Sequence, residues 1–396
     1  MPFPDMLSRS PLLLFGVLLL GYLLAWPAVG QPSLVQVQKN TFAVTPEQAT
    51  LLTPVLTEVA AASVVFVGEL DHGDGSTHPL KVKLLQQLRQ LGRSVAVVYE
   101  ADFFALNHQA QARPLAERLR SLYPVWTECS QFEQVIQYLL AQNLAVYGTD
   151  PMLTSDYSQQ QLVPYLDSLL PAHAQKAVFL QDLKDLQQKT YFTSTSPERR
   201  AQFLATLHAY HLVVSTGFDH QLLRTIEAFA HHVWQGLAPK HDAYYRDQAM
   251  GDNLFWLTTT ALRDQAVVFF GANIHIGNTQ VLPAPKAITT VKAAFDAHQG
   301  APSYALAMIA YEGVAKRPTL PKPFPIPAYM GQGLEQSLHD LALPFALINL
   351  RAPDLRARKF YVRGFGHATK QQAVWSQVYD AFLYTQLVEP CGQISK

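Results

Sequence analysis

Four stretches of the chain place an acid or an imidazole directly after a short aliphatic run. Ser63–Val67 leads into Gly68-Glu69-Leu70-Asp71-His72-Gly73, and Ser94–Tyr99 ends at Glu100. Leu144–Tyr147 leads into Gly148-Thr149-Asp150, and Ala266–Phe270 into Gly271-Ala272-Asn273-Ile274-His275. An imidazole with carboxylates nearby is the side-chain set that moves protons near neutral pH. One charge at a strand end needs no function, since strand ends meet water and Asp initiates turns. Four such ends in one chain point to a shared site. Gly68, Gly148 and Gly271 would permit the close backbone approach that tight loops over a ligand require. No Gly-x-Ser-x-Gly elbow is present, so an activated water is a more natural nucleophile than a serine.

A cation joins this set. On a helix beginning near Ala243, Arg246 falls on one stripe with Met250, Leu254 and Leu257, facing the core side. An inward guanidinium needs a carboxylate or a bound anion, although an arginine in a first turn can also snorkel to water. Asp247 lies on another face, able to cap or pair elsewhere. His208, His211, His220 and His231, with Arg224 and Glu227, read as a solvated helix face, and Trp126 and Trp256 as core.

Aliphatic runs alternating with helical patterns predict an α/β fold with a largely parallel central sheet flanked by helices. Tyr304–Ala310 and Phe345–Leu350 are further strands of that sheet. Leu80 to Leu91 is helical and makes a βαβ unit with the first two strands. Residues 159–235 are almost wholly helical, an insertion placed over the carboxyl-end rim, where open parallel sheets bind their ligands. The proline-crowded Lys316–Pro327 segment is expected to be an extended loop.

Thirty basic and thirty acidic residues leave no net charge, which argues against a nucleic-acid partner, and 49% hydrophobic residues suffice for a large core. Arg9, the apolar run Pro11–Trp26 and Ala28-Val29-Gly30 together predict a signal peptide over 1–30, ahead of an exported domain over 31–396, periplasmic or secreted. An uncleaved anchor is the alternative and would be the chain's only membrane contact, the run being slightly short of the ~20 residues that span a bilayer. Cys129 and Cys391 could pair after export or remain as two buried thiols.

The motifs resemble the erythromycin esterase family. Its Gly-Glu-x-x-His-Gly appears as Gly68 to Gly73, its next strand ending in glutamate as Val97-Val98-Tyr99-Glu100, its Arg-Asp-x-x-Met-x-x-Asn helix as Arg246 to Asn253, and its Asn-x-His as Asn273 to His275. In two places the chain departs from the family's pattern: Ala272 stands where macrolide-active members often have a histidine, and Lys81 where an arginine is common. A more distant similarity extends to haem-uptake lipoproteins and Tiki-type metalloproteases. The resemblance implies a hydrolase for a small-molecule ester or lactone, with no cofactor and no metal. His72 would activate water, Glu69 would orient His72, Arg246 or His275 would steady the oxyanion, and Glu100 would hold one of those two. Lys81, Asp150, Asp247 and Asn273 are expected to contact substrate. Two alternatives use the same residues: Glu69, His72, Glu100 and His275 as zinc or manganese ligands, or a non-catalytic haem or ligand binder of the cell envelope.

Overall fold

A computed structural model describes residues 32–44, 51–188, 196–235, 244–282, 288–298, 302–328, 331–367 and 370–393. The predicted signal peptide lies outside them. Among them are the strands β1 (Thr41–Ala43), β2 (Val64–Glu69), β3 (Val95–Asp102), β4 (Ala145–Asp150), β5 (Ala266–Ala272), β6 (Ser303–Ala315), β7 (Phe324–Ile326), β8 (Phe345–Asn349), β9 (Lys359–Val362), β10 (Gln371–Val374) and β11 (Ala381–Val388). The main sheet has the order β1-β8-β11-β6-β2-β5-β3-β4, with β7 paired to β6, while β9 and β10 form a separate antiparallel pair. From β11 across to β4 every pairing is parallel; β1 and β8 extend the sheet with antiparallel pairings.

Strands β2 and β3 are buried at every position, as expected for central parallel strands covered on both faces. Their alternating side chains feed two cores. Val65, Val67 and Val97 pack with Leu80, Leu84 and Leu88 of the helix Thr77–Gln90 on one face. Phe66, Ala96 and Val98 pack with Met250, Leu254 and Leu257 of the helix Tyr244–Thr259 on the other. The stripe containing Arg246 therefore does face the sheet.

Between β4 and β5 lie the helices Asp156–Leu169, Lys176–Gln187, Pro197–Val213 and Gly217–Gln235, which share a core of their own. Serine caps start two of them: the Ser155 and Ser196 hydroxyls accept from the amides of Ser158 and Arg199. The histidines here are less solvated than expected. His208 is exposed, but His211 and His220 meet edge-on with ring centroids 5.3 Å apart, and His231 stacks on Tyr245 at 4.8 Å.

The structure refines several expectations. The first two predicted strands are not neighbours, because β5 inserts between β2 and β3. Strand β8 belongs to the sheet but runs antiparallel to β11. The segment Lys316–Pro327 is not wholly loop, since Phe324–Ile326 pairs with Gly313–Ala315. Cys129 and Cys391 are joined by a disulfide.

Candidate active site

Parallel pairing of β2 with β5 sets Gly68 opposite Gly271 and Glu69 opposite Ala272, so the ends of both strands open at the same level. A side chain at Gly68 would collide with the Asn273 amide, which fixes glycine there. Glu69 is fully buried. Its Oε1 accepts from the Trp126 indole at 2.7 Å and lies 2.5 Å from His72 Nδ1; its Oε2 pairs with the equally buried Lys81 ammonium. Burial pushes the Glu69 carboxyl up, but the Lys81 charge and the His72 hydrogen bond outweigh it and hold the group well below the usual carboxylate range. Burial pushes His72 the other way, yet the Glu69 hydrogen bond and the Glu69 and Glu100 charges leave it raised above 6.5. With Nδ1 committed to Glu69, Nε2 is the nitrogen left for chemistry.

A β-bulge between Tyr99 and Asp102 re-aims the end of β3 at Glu100. Glu100 Oε1 accepts from Arg246 Nη2 at 2.8 Å and lies 3.1 Å from His275 Nε2, while Oε2 accepts from the Ala272 amide at 3.0 Å. Asp150 grips the same guanidinium, with Nε 3.1 Å from Oδ1 and Nη2 2.5 Å from Oδ2. The other His275 nitrogen, Nδ1, meets Asp247 Oδ2 at 2.8 Å. Burial opposes the His275 charge, but the carboxylates on both ring nitrogens raise its pKa to about 10, so at neutral pH it is an imidazolium. The charges of His275 and Arg246 hold Glu100 well below its usual range against its own burial. Arg246 Nη1 makes no hydrogen bond among the described residues. The guanidinium, with Asp150, borders a cleft of about 520 Å³ that Arg120, Tyr123, Asp156 and His232 also line, so the helical insertion meets the rim here.

Glu69 with His72 and Glu100 with Arg246 and His275 thus form two groups, linked by the field of Glu100, which reaches His72 as well as the two cations beside it; of the five, Arg246 lines the cleft. The four residues expected to contact substrate each have partners within the protein, and Asp150 also lines the cleft. Lys81 is buried against Glu69, Asp150 against Arg246, and Asp247 against His275. Asn273 spends its amide on the backbone of Met308 and Gly364, fastening β5 to its surroundings. Each of these contacts supports a reactive group or the strand that carries it. Sequence reasoning passed over Trp126, treated as core, and Tyr123, whose hydroxyl donates to Asp150 at 2.9 Å. The available signal was chemical: a buried indole N–H or phenol O–H seeks an acceptor.

The erythromycin esterase family profile matches residues 96–387. This chain belongs to the erythromycin esterase family. The match begins downstream of Glu69 and His72 and does not include them. Among solved structures, a Bacillus cereus protein is similar in fold, with TM-score 0.69, 14% identity, and coverage of 92% of this chain and 98% of that one. A succinoglycan biosynthesis protein matches with TM-score 0.69 and 14% identity over 90% of this chain and 97% of its own. A mutant of erythromycin esterase EreC in its open conformation matches with TM-score 0.63 and 15% identity over 92% and 99%. No curated protein matches the chain.

Proposed function

We propose that this member of the erythromycin esterase family hydrolyses a small-molecule ester or lactone with water activated by His72. Neutral His72, held through Nδ1 by Glu69, takes a proton from water at Nε2. The water oxygen attacks the acyl carbon. Negative charge gathers on the carbonyl oxygen, where Arg246 Nη1 is the available donor; one well-placed donor of this kind contributes about 3–4 kcal/mol. Collapse of the tetrahedral intermediate expels the alkoxide, which recovers the proton from His72, and the products are a carboxylic acid and an alcohol. His275 acts as a positioning residue, because both of its nitrogens are occupied by carboxylates.

The observation that carries this is the separation of tasks in the site. One imidazole is backed by a carboxylate and keeps a nitrogen for proton transfer, while the other is locked in its charged form. The alternative of Glu69, His72, Glu100 and His275 as metal ligands is not favoured by the donor atoms. The only set of three or more clustered ligand atoms among the described residues is His78, Cys129 and Cys391. Export remains part of the proposal, and the disulfide accords with an oxidising compartment.

A panel of esters and lactones, macrolides included, assayed with and without chelator, tests the activity. Chelator-insensitive release of acid from at least one ester or lactone is expected. A panel with no turnover, or turnover abolished by chelator and restored by added metal, would remove the proposal.

A further inference from the structure

Behind the Glu69–His72 pair lies a second cluster that hydrolysis leaves unused. His78, in the first turn of the helix Thr77–Gln90, is fully buried, and neither of its ring nitrogens has a hydrogen-bond partner among the described residues. An imidazole buried in that way forfeits the hydration of two polar atoms, a cost an apolar side chain of similar size would avoid. A His78 ring nitrogen and the sulfurs of Cys129 and Cys391, both also buried, all lie within 4.8 Å of one another. Three neighbouring donors of the nitrogen–sulfur type, one of them unpartnered, match the ligand set of zinc sites.

We propose that reduction of the Cys129–Cys391 disulfide opens a metal site in which His78, Cys129 and Cys391 bind one zinc-class divalent cation. A dithiol or phosphine reductant supplies two electrons and is itself oxidised; the sulfur–sulfur bond breaks and two thiols form. The cation then displaces both thiol protons, and two thiolates balance its charge while His78 gives the neutral nitrogen. The segment carrying Cys391 is held by two isolated bridges, Asp74 with Pro390 and Cys129 with Gln393, and by hydrogen bonds to Gly73, Gly75, Ser130 and Gln131, not by a continuous strand ladder, and its local opening gives a reductant its path. The inference is independent of the hydrolytic proposal.

The test is titration of the full chain with Co²⁺, then Zn²⁺, before and after reduction by a phosphine, with near-ultraviolet circular dichroism recorded alongside. Reduced protein should take up one equivalent of Co²⁺ with thiolate charge-transfer absorption that Zn²⁺ abolishes, and oxidised protein should take up none. The His78→Gln variant, reduced, should bind about tenfold or more weakly; should that variant not fold, His78→Leu serves the same comparison. No uptake by the reduced chain, uptake indifferent to His78, or loss of the near-ultraviolet signal on reduction would each overturn the proposal.

Discussion

His275 and Glu100 are joined at 3.1 Å in a site where Asp247 holds the other face of the same imidazole. The resulting imidazolium, with a pKa of about 10 and a carboxylate on each nitrogen, cannot serve as the base, whereas His72 keeps Nε2 for that role. Activity should therefore rise with pH as His72, its pKa raised by Glu69, loses its proton, and fall again near 10 as His275 is neutralised. A pH profile of kcat/KM on any active ester checks both limbs, and Asp247→Asn should move the upper limb down. An upper limb unmoved by Asp247→Asn would show that His275 does not set it. The same shift has a consequence for folding. The stabilisation from charged His275 is complete below about 6.5 and lost as pH rises through about 10, so Tm should decline across that window.

Arg246 meets Asp150 through Nε and Nη2 and still has Nη1 to offer. Lysine keeps the charge but cannot reproduce that fork. Arg246→Lys should lower kcat by about 10²–10³-fold, the usual loss for one oxyanion donor, with little change in KM. Steady-state kinetics would contradict this if KM alone rose.

The Trp126 indole holds the oxygen of Glu69 that also faces His72. Trp126→Phe keeps an aromatic ring against Tyr99 but removes a hydrogen bond to a charged acceptor, a loss of about 1.5–3 kcal/mol of stability. Denaturant unfolding measures that loss. The pH profile separates positioning from mere packing, because a freer Glu69 should displace the lower limb, and a simple packing defect should not.

Lys81 and Glu69 are buried together, so Lys81→Met leaves an uncompensated carboxylate and should cost about 3–5 kcal/mol by thermal or chemical unfolding. Lys81→Arg should be tolerated far better if the space admits it. Equal stability of Lys81→Met and the parent chain would mean that Glu69 is not charged in the folded protein.

Much of this architecture is legible in the chain because parallel strands announce themselves as unbroken aliphatic runs with functional groups at their ends. Val64–Val67 and Ala266–Phe270 are such runs, and both are central. Strand β11 was missed although it lies inside the sheet: Ala381–Val388 mixes Tyr384, Thr385 and Gln386 among its apolar residues and gives no aliphatic block. Strand order was illegible for another reason, since β5 reaches its place between β2 and β3 only after the helical insertion, and nothing local records so distant a pairing. At the site, Glu69, His72, Glu100, Arg246 and His275 could be named because each type suits proton transfer or charge stabilisation. The roles of Lys81, Asp150, Asp247 and Asn273 could not, because sequence does not say which way a polar side chain faces. Here all four turn inward and hold their neighbours.

The central claim is that His72 is the base, and replacing it is the most direct test. His72→Ala leaves Glu69 its bonds to Lys81 and Trp126, so the fold should survive, as circular dichroism can verify. The rate on an active ester should fall by about 10²–10⁴-fold. Turnover undiminished in a folded His72→Ala protein would contradict the account.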